Sequence, residues 1–214
     1  MSSATRRALD VVTATLGLMI LSPLLVTIAI AVSVGSPGGP FFRQVRVGRN
    51  HLPFRMVKFR TMTTKPGTED GSFDPGDATR VTEIGRFLRR TKLDELPQLW
   101  NVLGGDMSLV GPRPEVPKWT RIHPERWDRI LSVRPGITDP ASLEFRGEEN
   151  LLADADDPET LYREVILPRK LELSETYVRE RSLPSDVFLI FRTLGALLGN
   201  RAGSQAPDPR QSEE

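Results

Sequence analysis

The segment VVTATLGLMILSPLLVTIAIAVSV, Val11 to Val34, runs for 24 residues without a charged side chain. A helix needs about 20 apolar residues to reach across the hydrocarbon of a bilayer. The run is therefore long enough to enter a membrane, and the rest of the chain must fold attached to it. A cleaved leader is one alternative, with Arg6 and Arg7 upstream and Ala29-Ile30-Ala31 resembling a cleavage site. Leader cores span about 7–15 residues, however, and this one is far longer.

Two features argue against a straight span. Basic residues flank both ends: Arg6 and Arg7 before, then Arg43, Arg46, Arg49, Arg55, Lys58 and Arg60 after. Such residues hold their flanks on the cytoplasmic side. At the midpoint stands Ser22-Pro23. Pro23 has no N–H for the carbonyl of Met19, and its ring crowds that turn, so a bend is expected. The Ser22 hydroxyl is placed to satisfy a freed carbonyl, as apolar surroundings demand. Each half is about 12 residues, or roughly 18 Å, about half a bilayer. The expectation is a re-entrant membrane hairpin broken at Ser22 and Pro23, entering and leaving on one face. A kinked single span is the alternative, because proline is tolerated in spanning helices.

The net charge of +1 conceals an uneven distribution. Residues 1–60 carry eight Lys/Arg against one acid, residues 61–118 eight against nine, and residues 119–214 thirteen against eighteen. The positive charge gathers around the apolar segment. With no cysteine, a disulfide framework and a Cys-based zinc site are both excluded. His51 and His123 lie far apart among turn residues and read as surface or capping groups.

Beyond GSPGGP, the stretches FFRQVRVG and PFRMVKFRTM read as short strands joined by the turn GRNH. Residues 64–80, rich in Gly, Pro and Asp, read as a long mobile loop. From Val116 onward the pattern is helical. HPERWDRIL places Trp127, Ile130 and Leu131 on one face, and with Trp119 and the surrounding arginines this fits a headgroup boundary as well as a core. Residues 157–182 read as a helix bent at Pro168, and LPSDVFLIFRTLGALLG as a final helix capped near Ser185. The expected class is α+β, mainly helical, with a small β element and interfacial amphipathic helices. The expected division is residues 1–36 as membrane helix, 37–200 as cytosolic or interfacial catalytic domain, and 201–214 as a disordered tail.

Within FLRRTKLDELPQLWNVL, residues 87–103, two adjacent carboxylates, Asp94 and Glu95, follow the cations Arg89, Arg90 and Lys92. LDELPQLWNVLGG reads as a short helix with a stripe of Leu96, Leu99, Trp100 and Leu103, ended by Gly104-Gly105. Asp94 then falls at its N-terminus, where an aspartate commonly serves only as a cap. The neighbouring cations, together with Lys58, Arg60 and Arg113, make a phosphate site the competing reading. No G-x-x-x-x-G-K-[ST] or G-x-G-x-x-G motif accounts for them. DNA binding is disfavoured by the membrane segment. Acids beside cations at a membrane surface fit metal-assisted phosphoryl transfer, with Mg²⁺ taking one or two carboxylates and substrate phosphates.

From about Arg6 to Arg192 the chain resembles the monotopic phosphoglycosyl transferases, the small bacterial initiating sugar transferases. The resemblance rests on RRALD, Ser22-Pro23, GPFFRQVRVG, FRMVKFRTM, VRPGIT and above all GRFLRRTKLDELPQLWNVLGGDMSLVGPRPE, Gly85 to Glu115. It implies transfer of a sugar 1-phosphate from a UDP-sugar to polyprenol phosphate, starting glycan assembly at the cytoplasmic face of the bacterial inner membrane. Larger members carry extra N-terminal spanning helices, and none is expected here. It implies that Asp94 is the nucleophile, releasing UMP and holding the sugar phosphate as an acyl phosphate. Glu95 completes a catalytic dyad and binds or orients Mg²⁺ with Asp94. Lys58, Arg89 and Arg113 are expected to hold substrate phosphate. UDP-sugar, polyprenol phosphate and membrane lipid are the expected partners, nucleic acid is not, and a homodimer is the candidate assembly. Of two departures from the family pattern, Lys92 where Ser is commoner adds a cation beside the dyad, and DPASLEFRGEENLL after RPGIT bears on donor or acceptor specificity rather than on the reaction. The rival readings are a membrane glycosyltransferase releasing UDP and a non-enzymatic scaffold binding anionic lipid.

Overall fold

The structure, a computed structural model, describes residues 3–35, 38–63 and 78–199. Most of the expected loop at 64–80 and the expected tail at 201–214 lie outside the described residues.

Helix α1, Ser3–Gly35, is one continuous element with Pro23 inside it. The expected break is therefore not a loop: helical structure continues on both sides of the proline. Ser22 Oγ donates to the Met19 carbonyl at 2.8 Å, which supplies the bond Pro23 cannot make. Thr15, Thr27 and Ser33 likewise donate to carbonyls four residues back, so the hydroxyls present little polarity to an apolar medium. Ala14, Leu18, Leu21, Leu25, Ile28 and Val32 form a stripe of alternating 4 and 3 spacing that packs on the rest of the protein from one end to the other. The opposite face stays open: Val12, Leu16, Met19, Ile20, Val26, Ile30 and Val34 are each more than half exposed. By length and composition α1 is able to cross a membrane.

Strands β1 (Phe41–Val47) and β2 (Pro53–Phe59) pair antiparallel, with Phe41 opposite Phe59 and Val47 opposite Pro53, as the alternation predicts. The turn between them uses left-handed Asn50 and His51 (φ 55° and 62°), and His51 Nε2 meets Asp128 at the surface, 2.7 Å away. Helix α2 (Glu83–Thr91) starts from a Thr82 cap and leads to α3 (Gln98–Gly104). A second, parallel pair joins β3 (Ser108–Val110) to β4 (Gly136–Thr138), lying between them in sequence α4 (Pro117–Thr120) and α5 (Pro124–Ile130). The sequence patterns do not reveal this pairing. Gly111 and Gly136 make it fit, since a Cβ on Gly136 would lie 2.1 Å from the Gly111 nitrogen.

The chain then forms α6 (Pro140–Glu144), α7 (Glu148–Ala153), α8 (Pro158–Leu161), α9 (Leu167–Glu180) and α10 (Leu183–Leu198). The largest core gathers Trp119, Trp127, Ile130, Leu131, Phe145, Tyr162, Ile166, Leu167 and Leu171. The interfacial reading of Trp119 and Trp127 is thereby corrected: they are 1% and 5% exposed. Their periodicity faces the protein's own core, where the Trp127 indole donates to the Trp119 carbonyl. The bend expected at Pro168 is an N-terminal proline of α9 preceded by a π-helical turn, Tyr162–Ile166, which absorbs the misfit upstream. The cap of α10 is Ser182, with Ser185 completing a capping box rather than acting as the cap.

Gly136→Ala is expected to lose about 1–3 kcal/mol, because the new methyl strikes backbone rather than a pliant side chain. Gly195→Ala, which meets nothing within 4 Å, is expected to be neutral or to gain up to about 1 kcal/mol. Paired denaturant melts of the two variants check this.

Candidate active site at Asp94 and Glu95

Asp94 and Glu95 do not sit on an α-helical N-terminus. Lys92, left-handed at φ 57°, ends α2 and turns the chain into a 3-10 turn, Leu93–Glu95, from which Leu96 and Pro97 lead into α3. Leu93 and Leu96 pack beneath α1 with Leu25, Ile28 and Val32. Burying those leucines fixes the turn, and both intervening carboxylates are then carried inside, at 6% and 8% exposure. The alternative that Asp94 serves as a helix cap is not realised: no side-chain cap bond forms at this turn or at the start of α3.

The two acids have opposite surroundings. Glu95 Oε1 accepts from Lys58 Nζ at 3.2 Å and from an Arg113 terminal nitrogen at 2.8 Å, while Oε2 accepts from the other Arg113 nitrogen at 3.3 Å. Burial alone would push the Glu95 carboxyl up, but Arg113 and Lys58 outweigh it and hold the group well below the usual glutamate range. Asp94 Oδ1 is buried with no hydrogen-bond partner among the described residues. Burial raises the Asp94 carboxyl above its ordinary value; Lys58 opposes that rise, and the Glu95 charge adds to it. One carboxylate is neutralised and fixed, and its neighbour is left basic and uncommitted.

Among the expected phosphate-holding cations, Lys58 on β2 and Arg113 on the Gly111–Glu115 turn converge on Glu95. Arg89 does not. Its Nε donates to Thr61 Oγ1 at 2.9 Å and a terminal nitrogen to Glu149 at 3.3 Å, although its charge still acts on Asp94. The Arg113 backbone N–H donates to Asp139 Oδ2 at 3.1 Å, and Asp139 Oδ1 also caps α6 through Ser142. Arg46, in contact with Glu115 and Gln44, places a further cation behind Lys58 and Arg113. Asn101 locks α3 to β2, its Oδ1 accepting from Val57 N at 3.0 Å and its amide donating to Arg55 O at 2.8 Å. Arg46, Asn101 and Asp139 were missed from sequence because polar residues with distant backbone partners leave no periodic signature.

Among the described residues, no group of three or more His, Asp or Glu side chains could hold a metal alone. What they offer a divalent ion is Asp94 Oδ1 and the remaining lone pair of Glu95 Oε2. That suits an ion arriving on a diphosphate and taking most of its ligands from phosphate and water.

The model of a family described as bacterial sugar transferase matches residues 1–200. The chain belongs to that family. It is 38% identical over 209 residues to the UDP-glucose:undecaprenyl-phosphate glucose-1-phosphate transferase of Escherichia coli (strain K12), covering 92% of this chain and 41% of that protein. It is 34% identical over 200 residues to the UDP-N-acetylgalactosamine-undecaprenyl-phosphate N-acetylgalactosaminephosphotransferase of Aeromonas hydrophila, covering 90% and 43%. A UDP-glucose:undecaprenyl-phosphate glucose-1-phosphate transferase of Caulobacter vibrioides is 37% identical over 197 residues, covering 90% and 69%. The chain thus spans about two fifths of the first two relatives and about two thirds of the third.

The contrasting acids make a stability prediction. Glu95→Gln strands two part-buried cations and is expected to cost about 3 kcal/mol, the low end for a broken buried pair because neither Lys58 nor Arg113 is fully buried. Asp94→Asn is expected to be neutral or stabilising, since the folded state disfavours the charged form. The signs in pH differ likewise. The Glu95 contribution is full above its ordinary value of 4.5 and fades as pH falls through its depressed folded value, whereas the opposition from Asp94 is relieved on acidification. Denaturant melts of both variants between neutral and acid pH check this.

Proposed function

We propose that this chain transfers a sugar 1-phosphate from a UDP-sugar to polyprenol phosphate, releasing UMP, through a covalent aspartyl phosphosugar on Asp94. The observation that carries the reading is the buried, unbonded Asp94 Oδ1 next to a Glu95 whose charge is already matched by Lys58 and Arg113. Family membership and the names of the relatives, which act between UDP-sugars and undecaprenyl phosphate, supply the substrate class.

The chemistry divides into two displacements. An Asp94 oxygen attacks the β-phosphorus of the UDP-sugar, the bond from that phosphorus to the bridging oxygen breaks, and UMP leaves with the electron pair. A polyprenol phosphate oxygen then attacks the same phosphorus, the acyl–phosphate bond breaks, and Asp94 returns as a carboxylate while the lipid carries a sugar diphosphate. Splitting the reaction avoids a direct meeting of a phosphate with a diphosphate. The raised Asp94 makes a stronger nucleophile than a solvated carboxylate. Glu95 anchors Lys58 and Arg113 where charge develops on the transferring phosphoryl group, so little reorganisation is needed during reaction. Mg²⁺ would be held by Asp94 and Glu95 together with the substrate phosphates, and would supply charge neutralisation for the diphosphate.

We further propose that α1 is re-entrant, with the catalytic residues on the cytoplasmic face of the inner membrane. Its inner stripe packs on one body from Ala14 to Val32 while the outer face is apolar and exposed, which suits a helix that dips into one leaflet with its domain. A perpendicular span of 33 residues, about 50 Å, would pull one end away from those contacts.

Purified protein with Mg²⁺ and a UDP-sugar, without lipid acceptor, is expected to gain one sugar phosphate in intact mass and release an equal amount of UMP. Asp94→Asn should do neither. UDP release on adding lipid, with no adduct, would replace this reading by a glycosyltransferase. Because the chain has no cysteine, Ser3→Cys and Pro40→Cys report topology cleanly. Labelling of both from the cytoplasmic side only is expected, and labelling from opposite sides sinks the re-entrant reading.

A further inference from the structure

A solvent-open cleft of about 100 Å³ lies at the far end of α3 from Asp94, and Arg6, Arg7, Arg49, Arg134 and Arg181 line it against one carboxylate, Asp10. These arginines come from four separate parts of the chain: the first turns of α1, the turn after β1, the approach to β4 and the link between α9 and α10. Their concentration is therefore a product of the fold, not of a local basic run.

The acids nearby are already engaged. Asp10 Oδ1 accepts from Ser108 Oγ and Leu109 N, both at 3.0 Å. Asp186 pairs with Arg6 at 3.1 Å and accepts from the Tyr177 hydroxyl at 2.8 Å. Arg7 donates to the Val102 and Leu103 carbonyls at the end of α3, and this fixes α1 there. Arg49 and Arg134 are each tethered through Nε, to the Ser132 and Gly105 carbonyls, and that leaves both terminal nitrogens of each available. Arg181 donates its backbone N–H to the Tyr177 carbonyl, but its side chain has no hydrogen bond or ion pair among the described residues; burial and repulsion from Arg6 lower its affinity for its proton, against the pull of Tyr177 and Asp186. Like charges held this close favour an added anion, and guanidinium forks match phosphate oxygens in pairs.

Two long helices begin at this cleft. Arg6 in the first turns of α1 forms an ion pair with Asp186 in the first turn of α10, so the positive ends of both helices face the same region. Both carry exposed apolar stripes away from it, in α10 through Val187, Phe188, Phe191 and Leu194. A cationic site from which two apolar surfaces lead matches a ligand with a phosphate head and hydrocarbon chains. We propose that this cleft binds the headgroup of an anionic phospholipid, whose acyl chains lie along the exposed faces of α1 and α10. The bound phosphate is not the reacting one, because α3 separates it from Asp94. The inference rests on the membrane placement of α1 proposed above.

Flotation with phosphatidylcholine vesicles, with and without phosphatidylglycerol, tests it. Wild type should bind both and prefer the anionic vesicles. Arg49→Gln with Arg181→Gln should reduce that preference about tenfold while keeping the phosphatidylcholine binding and the melting temperature. A control that removes the same charge from exposed sites elsewhere, Arg121→Gln with Arg163→Gln, should keep the preference. Equal losses in both double variants, or no loss in the first, overturn the site. Inorganic phosphate stabilising the wild type as strongly as short-chain phosphatidylglycerol would make it a free-phosphate site and overturn the lipid assignment. Failure of wild type to float on phosphatidylcholine would instead sink the membrane placement, and this inference with it.

Discussion

Glu95 is where three otherwise separate parts of the chain meet: the 3-10 turn that carries it, Lys58 on β2 and Arg113 on the turn beyond β3. A buried acid held between two part-buried cations is tolerable only while all three are present, because Glu95 alone would face a large desolvation cost. That mutual dependence fixes the positions of the strand, the turn and the Gly111–Glu115 segment relative to one another. It also sets the character of Asp94. With the local positive charge directed onto its neighbour, Asp94 keeps an unbonded buried oxygen, and adjacent acids of similar type acquire different chemistry.

The support around this trio is mostly backbone contact. Asn101 bonds α3 to β2, Asp139 holds the Arg113 N–H, and Gly85 brings α2 onto the Thr61 backbone, where a Cβ would lie 2.0 Å from the carbonyl oxygen. Each of these contacts has a backbone partner, which cannot rotate away. Helix α1 lies against the same assembly, with Leu25, Ile28 and Val32 covering the leucines on either side of the dyad. The membrane element and the site are consequently one packed unit, and the depth of the helix in a bilayer sets the depth of Asp94.

Much of this was legible in the sequence. The apolar run, the hairpin of β1 and β2, the Ser22 bond to Met19 and the convergence of Lys58 and Arg113 beside the acids follow from local pattern or family motif. Other features were left open by the sequence for identifiable reasons. Trp119 and Trp127 have the spacing of an interfacial face, but the same spacing serves a core, and Tyr162 and Leu167 arrive from over thirty residues away to bury them. Asp94 looked like a cap because its residue type and position fit one, yet the left-handed Lys92 replaces an α-helical start with a 3-10 turn. Arg89 looked equivalent to Lys58 and Arg113, and Thr61 and Glu149 draw it aside.

The sequence by itself determined that an uncharged run is long and apolar enough to enter a membrane, that two neighbouring acids lie among cations, and which family the pattern resembles. These are properties of residue type and short-range spacing, which survive without knowledge of distant contacts. Only the tertiary structure decided which acid is neutralised and which is left unbonded, and that arginines from four parts of the chain line one cleft. Those outcomes depend on burial and on partners far apart in sequence, and the energy of a charge is set by what surrounds it in space.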